Sequence, residues 1–97
     1  MQKQPAIYIL SSKSQGTLYI GVTSNLPQRI WQHKNDFIEG FTKRYQVHQL
    51  VYFELHETMQ NAITREKQMK AWKRQWKINL IETQNPNWAD LYSTILD

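Results

Sequence analysis

Two strand-like runs lie close together near the start of the chain, and their closeness constrains the fold more than any other feature. Ala6-Ile7-Tyr8-Ile9-Leu10 follows Pro5 and is built from β-branched and aromatic residues, so it reads as a strand. Ser11 to Gly16 is polar and ends in glycine, which reads as a turn. Thr17-Leu18-Tyr19-Ile20-Gly21-Val22-Thr23 is a second strand. The short connection makes the pair an antiparallel hairpin, with Tyr8 on one strand and Tyr19 on the other. The two hydroxyls are expected within reach of each other on one sheet face. Gly21, inside the second strand, marks the close approach of another backbone or of a ligand.

Beyond the hairpin the pattern becomes helical. Ser24 or Asn25 caps a helix with Pro27 in its first turn, where a missing N–H costs nothing. Leu26, Ile30, Trp31 and Phe37 fall on its apolar side, and Gly40 breaks it. Leu50-Val51-Tyr52-Phe53-Glu54-Leu55 is a third strand. Thr58 caps a helical stretch from Met59 to about Glu82, either one helix or two with a bend near Arg74. Its candidate core is Ala62, Met69, Trp72, Trp76, Leu80 and Ile81. Asn85-Pro86-Asn87-Trp88 is a turn before a last short helix from Ala89 to Leu96. The order β-β-α-β-α-α predicts an α+β domain, a three-stranded antiparallel sheet flanked by helices. The 97 residues suffice for one such domain, 1–97, with a core of about 5–83 and a helical tail at 84–97.

Composition narrows the function. The chain has no cysteine, which excludes a disulfide framework, a cysteine zinc site and a thiol nucleophile. Positions 1–5 carry no apolar leader, and no apolar run is long enough to span a membrane. A soluble cytoplasmic protein is expected. Twelve Lys and Arg against eight Asp and Glu give a net charge of +4, which favours a polyanionic partner, nucleic acid above others.

Arg29 and His33 stand four residues apart and project from one helix face. Glu66 is a lone carboxylate whose helical neighbours Ala62, Ile63 and Met69 are apolar, in a helix rich in lysine. Ala6-Ile7-Tyr8, a turn, and Tyr19-Ile20-Gly21 together resemble the paired motif that names the GIY-YIG nuclease family. The resemblance extends to Arg29, His33 and Glu66, and to a tail running from Trp72-Lys73 through Asn85-Pro86-Asn87-Trp88 to Asp90-Leu91-Tyr92. It covers about Ala6 to Trp88 and is greatest with the short stand-alone members. Ala6 replaces the first glycine of the motif, a small change for the backbone. The family's late polar residue, usually asparagine, corresponds to Asn79 or to Asn85.

The resemblance implies a metal-dependent endonuclease that hydrolyses DNA phosphodiesters, in repair or in processing of branched or damaged strands. Glu66 would be the only protein ligand of a hard cation, Mg2+ or Mn2+. Tyr8 would act as general base toward water, acidified from its ordinary pKa of about 10 by Arg29, the metal or a relay through His33. Tyr19 would position water or phosphate, and Arg29 would meet the charge of the phosphorane. Lys13, Lys43, Arg44, Lys70, Lys73 and Lys77 could face phosphates, contacts that position without reading sequence. Weak sequence specificity is expected unless a partner protein supplies targeting.

Each residue alone has a plainer account. A strand tyrosine is more often a core residue with a wet hydroxyl. Arg29 and His33 would make a solvated face, Glu66 would pair with Lys70 at i+4, and Asn85 would shape a turn. Two other functions compete with the nuclease: a non-catalytic nucleic-acid-binding module and an accessory subunit. Neither needs paired tyrosines together with a lone carboxylate.

Overall fold

The central strand of the sheet carries no exposed residue, and the rest of the fold is arranged around it. The computed structural model describes residues 4–96, so positions 1–3 of the expected leaderless start and position 97 of the tail lie outside the described residues. Strand β1 (Ala6–Ser11) is buried at all six positions. It pairs antiparallel with β2 (Leu18–Thr23) on one side and with β3 (Gln49–Leu55) on the other, giving the sheet order β2-β1-β3. A continuous apolar run suits a strand that is covered on both faces. Its alternation sends Ile7 and Ile9 to one face and Ala6, Tyr8 and Leu10 to the other. Each such aliphatic side chain contributes on the order of 1.5–3 kcal/mol when fully buried.

Four helices and a 3₁₀ turn cover these faces. Helix α1 (Leu26–Lys34) packs Leu26 and Ile30 onto the Tyr8 face. Asn25 caps it, its side-chain oxygen accepting from the Gln28 N–H at 3.3 Å. A four-residue helix, α2 (Phe41–Arg44), follows Gly40, a helix not expected from the sequence. Helices α3 (Met59–Lys70) and α4 (Arg74–Gln84) cover the opposite face through Ala62, Met69, Ile78 and Ile81. Thr58 caps α3 by accepting from the Asn61 N–H at 3.1 Å. The long helical stretch is thus two helices, parted at positions 71–73, and α4 begins at Arg74. The Arg74 guanidinium donates to the carbonyls of Gln15 and Gly16 at 2.7 and 2.6 Å, tying α4 to the hairpin turn. None of the described helices is long and apolar enough to cross a membrane.

Several expected core residues lie outside. Trp31 is 47% exposed and Phe37 69%, because α1 ends at Lys34 before Phe37 can join its apolar side; the two rings stack on each other, 5.2 Å apart. Trp76 is 54% exposed and stands edge-on to Trp72, while Trp72 and Leu80 are half-buried against the core. The last helix is shorter than expected, a 3₁₀ turn at Leu91–Ile95. Trp88 is buried, its indole N–H donating to Glu82 at 2.8 Å.

The β1–β3 ladder contains a bulge. Ile9 faces Tyr52 and Leu10 faces Leu50, which leaves Val51 without a partner on β1. The extra residue explains why the consecutive Val51 and Tyr52 both join the core on the α3–α4 face. Asn85 supplies the missing bond: its Nδ2 donates to the Val51 carbonyl at 3.1 Å and to the Ala89 carbonyl at 2.9 Å, and its Oδ1 accepts from the Ala89 N–H at 3.0 Å. Asp90 then accepts from the Leu50 N–H and pairs with Lys34, so the tail is sewn onto β3 and α1. Asn85→Ala should leave the Val51 carbonyl buried and unpaired. A loss of about 1–3 kcal/mol in urea unfolding is expected, and an unchanged midpoint would remove Asn85 from this clamp.

Candidate active site

Residues from five elements, β1, β2, α1, α2 and α3, contribute to the region where Tyr8 crosses β2. In the ladder Tyr8 lies opposite Gly21, and Tyr19 lies two residues further along β2 on the same face. The tyrosine rings stand diagonally, with centroids 6.3 Å apart. Gly21 makes this possible. A Cβ at position 21 would sit 2.4 Å from both Cζ and the hydroxyl oxygen of Tyr8. The Tyr8 ring therefore occupies the space that any other residue at 21 would need.

From α1, His33 reaches the same place. Its Nε2 lies 2.8 Å from the Tyr8 hydroxyl and its Nδ1 lies 2.8 Å from Oγ1 of Thr42, on α2. All three side chains are buried. A neutral imidazole that accepts from Tyr8 must carry its proton on Nδ1 and donate it to Thr42; with the tautomer reversed, His33 donates to Tyr8 and Thr42 donates to His33. Either way the three form one continuous chain of hydrogen bonds from the interior to the site. Burial, with the charges of Arg29 and His48 adding to it, lowers the His33 pKa to about 4. Burial also pushes the Tyr8 phenol well above its ordinary value, and Tyr19 and Glu66 add to the rise, while the charge and N–H groups of Arg29 oppose it. Tyr8 is therefore a neutral phenol, not a phenolate, beside a neutral imidazole.

Glu66 stands on α3, which covers the other face, and its charge adds the smallest contribution to the rise at Tyr8. Its side chain is 13% exposed and pairs with Lys70 at 3.2 Å. Among the described residues no three His, Asp or Glu side chains converge. A closed protein cage for a metal is thus not formed by them, whereas one carboxylate with water and phosphate oxygens suits a hard cation.

The basic residues divide. Lys70 and Lys77 line a hollow of about 260 Å³ with Leu18, Tyr19, Ile20 and Phe41, directly beside the tyrosines. Lys43 and Arg44 lie on the far side of Phe41, Lys43 paired with Glu39 at 2.8 Å. Lys13 is exposed in the hairpin turn and Lys73 at the start of α4. Asn79 is exposed on α4, where it accepts from Gln75 at 2.9 Å and lines a shallow groove with Trp72 and Trp76. Asn85 is the clamp on the bulge. Sequence reasoning missed Thr42, for which a polar residue in a polar stretch gave no signal. It also missed Phe41 and Tyr45, whose i, i+4 aromatic spacing after Gly40 was a signal.

Residues 4–79 match the sequence pattern of the GIY-YIG catalytic domain. A UPF0213 protein of Staphylococcus saprophyticus is 39% identical over 75 residues, which cover 77% of this chain and 90% of that protein. A UPF0213 protein of Clostridium perfringens is 37% identical over 79 residues, covering 81% and 84%. The solution NMR structure of a UPF0213 protein from Bacillus halodurans superposes with a TM-score of 0.57 at 20% identity, covering 97% of this chain and 99% of that one, a likeness of fold.

Two outcomes are expected of this geometry. Gly21→Ala should force the Tyr8 ring aside and destabilise the fold by about 1–3 kcal/mol; a thermal midpoint equal to the parent's would show that the ring moves without strain. The second concerns pH. His33 titrates near 4 when folded and near 6.5 when unfolded, so in that window the unfolded chain holds the extra proton. Its contribution to stability is complete above 6.5 and is lost as pH falls toward 4. Unfolding midpoints measured across that range should fall more steeply for the parent than for His33→Gln, and parallel curves would contradict the assignment.

Proposed function

The chain belongs to the GIY-YIG catalytic domain family, and from that premise we propose that it is a divalent-metal-dependent endonuclease acting on DNA, with residues 1–97 as one nuclease domain. The observation that carries this reading is the buried chain Tyr8–His33–Thr42 opening beside Tyr19, Arg29 and Glu66. A module that only binds nucleic acid has no use for a buried proton path.

In this reading water attacks the phosphorus in line with the leaving oxygen. The Tyr8 oxygen takes the water's proton while its own proton passes to Nε2 of His33. The phenol never has to become a stable phenolate, which its raised pKa would forbid. The imidazolium formed is stabilised by Nδ1–H donating to Thr42 and by the negative phosphate now beside it. The low pKa of His33 without substrate keeps it neutral and ready to accept. Tyr19 positions the water or the phosphate. Arg29 faces the phosphorane with its fork of donors, and Lys70 and Lys77 hold neighbouring phosphate oxygens. Glu66 would hold the cation, Mg2+ or Mn2+, displacing Lys70 from its carboxylate. When bound, that cation would add positive charge against the phosphorane and the leaving oxygen. A role in processing branched or damaged strands would suit so small a domain, which has little surface left for reading bases.

Glu66→Gln tests the reading. It keeps shape and helix propensity, so melting temperature and DNA affinity should stay near those of the parent. Mg2+-dependent nicking of supercoiled plasmid should fall by about 100-fold or more. If Glu66 served only to pair with Lys70, nicking would persist and stability would drop by at most about 1 kcal/mol.

A further inference from the structure

The aromatic side chains beside the site continue past Tyr19 in a direction that the hydrolytic chemistry does not use. Phe41 stacks on Tyr19, with centroids 6.1 Å apart and planes inclined by 27°. Tyr45 packs on Phe41 at 4.8 Å, and the Arg44 guanidinium lies over the Tyr45 ring at 5.5 Å. Yet Phe41 is 44% exposed and Tyr45 49%. Rings of this size are usually taken into a core. Here α2 buries a single side chain, Thr42, which is already bonded to His33. The helix that anchors the proton path thus holds its two rings out in water.

The surroundings of these rings are suited to an anion with a planar part. A hollow of about 740 Å³ lies beside them, lined by Phe41, Arg44 and Tyr45 together with Asp36, Glu39 and Lys43. Each carboxylate has a partner, Asp36 hydrogen-bonded to the His48 ring at 2.8 Å and Glu39 paired with the Lys43 ammonium at 2.8 Å. Arg44 makes no ion pair among the described residues. At the other end of the row, Lys70 and Lys77 flank Tyr19 and Phe41. Cations at both ends of a row of exposed π-faces are the makings of a surface for single strands, on which bases stack while phosphates meet the charges. A duplex keeps its bases inside and offers such rings nothing.

We propose that Phe41, Arg44 and Tyr45 form a stacking shelf for an unpaired base of single-stranded DNA, one whose adjoining phosphate reaches the Tyr8–His33 site. The location of that phosphate rests on the nuclease reading above. The shelf adds the class of DNA that the site takes, a strand unpaired next to the point of cleavage.

Binding measured with the full chain in EDTA separates the two claims, because no hydrolysis is then needed. Fluorescence anisotropy would compare labelled oligothymidylate, an abasic strand of equal length, oligouridylate and a hairpin duplex. Oligothymidylate should bind about tenfold more tightly than the abasic strand and more tightly than the duplex. Phe41→Ala and Tyr45→Ala should each remove most of that advantage and leave affinity for the abasic strand unchanged. Tyr45→Phe, which keeps the ring, should retain it. Tyr45→Leu guards against a general loss of fold, since it keeps an apolar side chain at a half-exposed position and should behave as the alanine variant does. Equal affinity for the abasic strand, or an advantage that survives the Phe41 and Tyr45 variants, would overturn the shelf. Preference for the duplex or for oligouridylate would overturn its assignment to single-stranded DNA. If the advantage holds while no cleavage is found with any divalent metal, the shelf stands and the nuclease reading fails.

Discussion

The burial of β1 on both faces is the constraint from which the remaining structure follows. A strand with no exposed side must place every side chain in one of two cores, and its two-residue alternation decides which. Tyr8 goes to the α1 face, where His33 awaits it, and Ile7 and Ile9 go to the face that α3 and α4 cover. A slip of one residue would exchange these sets and take the phenol away from the histidine. The hydrophobic effect that fixes the register therefore also fixes the polar chain. Glu66, on α3 at the opposite face, reaches this cluster only through its charge, which adds slightly to the rise at Tyr8.

Protonation in this cluster is set by opposing influences of burial and charge. Burial raises the acid Tyr8 and lowers the base His33, so both are neutral and hydrogen-bonded rather than an ion pair. Arg29 pulls in the same direction at His33 and in the opposite direction at Tyr8. An arriving anion would change the balance at both, favouring the imidazolium. The cluster as it stands is uncharged at Tyr8 and His33, with no phenolate held in place.

Much of this was legible in the chain. The hairpin could be read because strand chemistry and a glycine-ended turn agree on it, and the Thr58 cap could be read, and the first cap narrowed to Ser24 or Asn25, because short polar side chains precede a helical period. A bend near Arg74 was one of two readings that the apolar pattern allowed, and the structure has the two-helix form. Other features carry no local mark. A bulge adds one residue to a strand whose composition is unchanged, so neither Val51 nor its bond to Asn85 could be foreseen. Thr42 is one polar residue in a polar segment, and only the fold sets it against His33. Periodicity overstated the core at Trp31, Phe37 and Trp76, since a large ring on the margin of a helix can be left outside when the core is already filled. Tyr8 and Tyr19 come from the hairpin, Arg29 and His33 from α1, and Glu66 from α3. Spacing could join the members of each pair, but only family resemblance suggested that the pairs and Glu66 belong to one site.

The pairing of Tyr8 with Gly21 carries a consequence for how such chains can diverge. The two tripeptides that name the family look in sequence like independent marks, but in the ladder one supplies a ring and the other the empty space that receives it. Neither can drift alone. A side chain gained at position 21 evicts the phenol, and a smaller residue at position 8 leaves a hole over the glycine. Substitutions at these two positions should therefore arise together or not at all, and a descendant that has abandoned the chemistry would be free to change both at once.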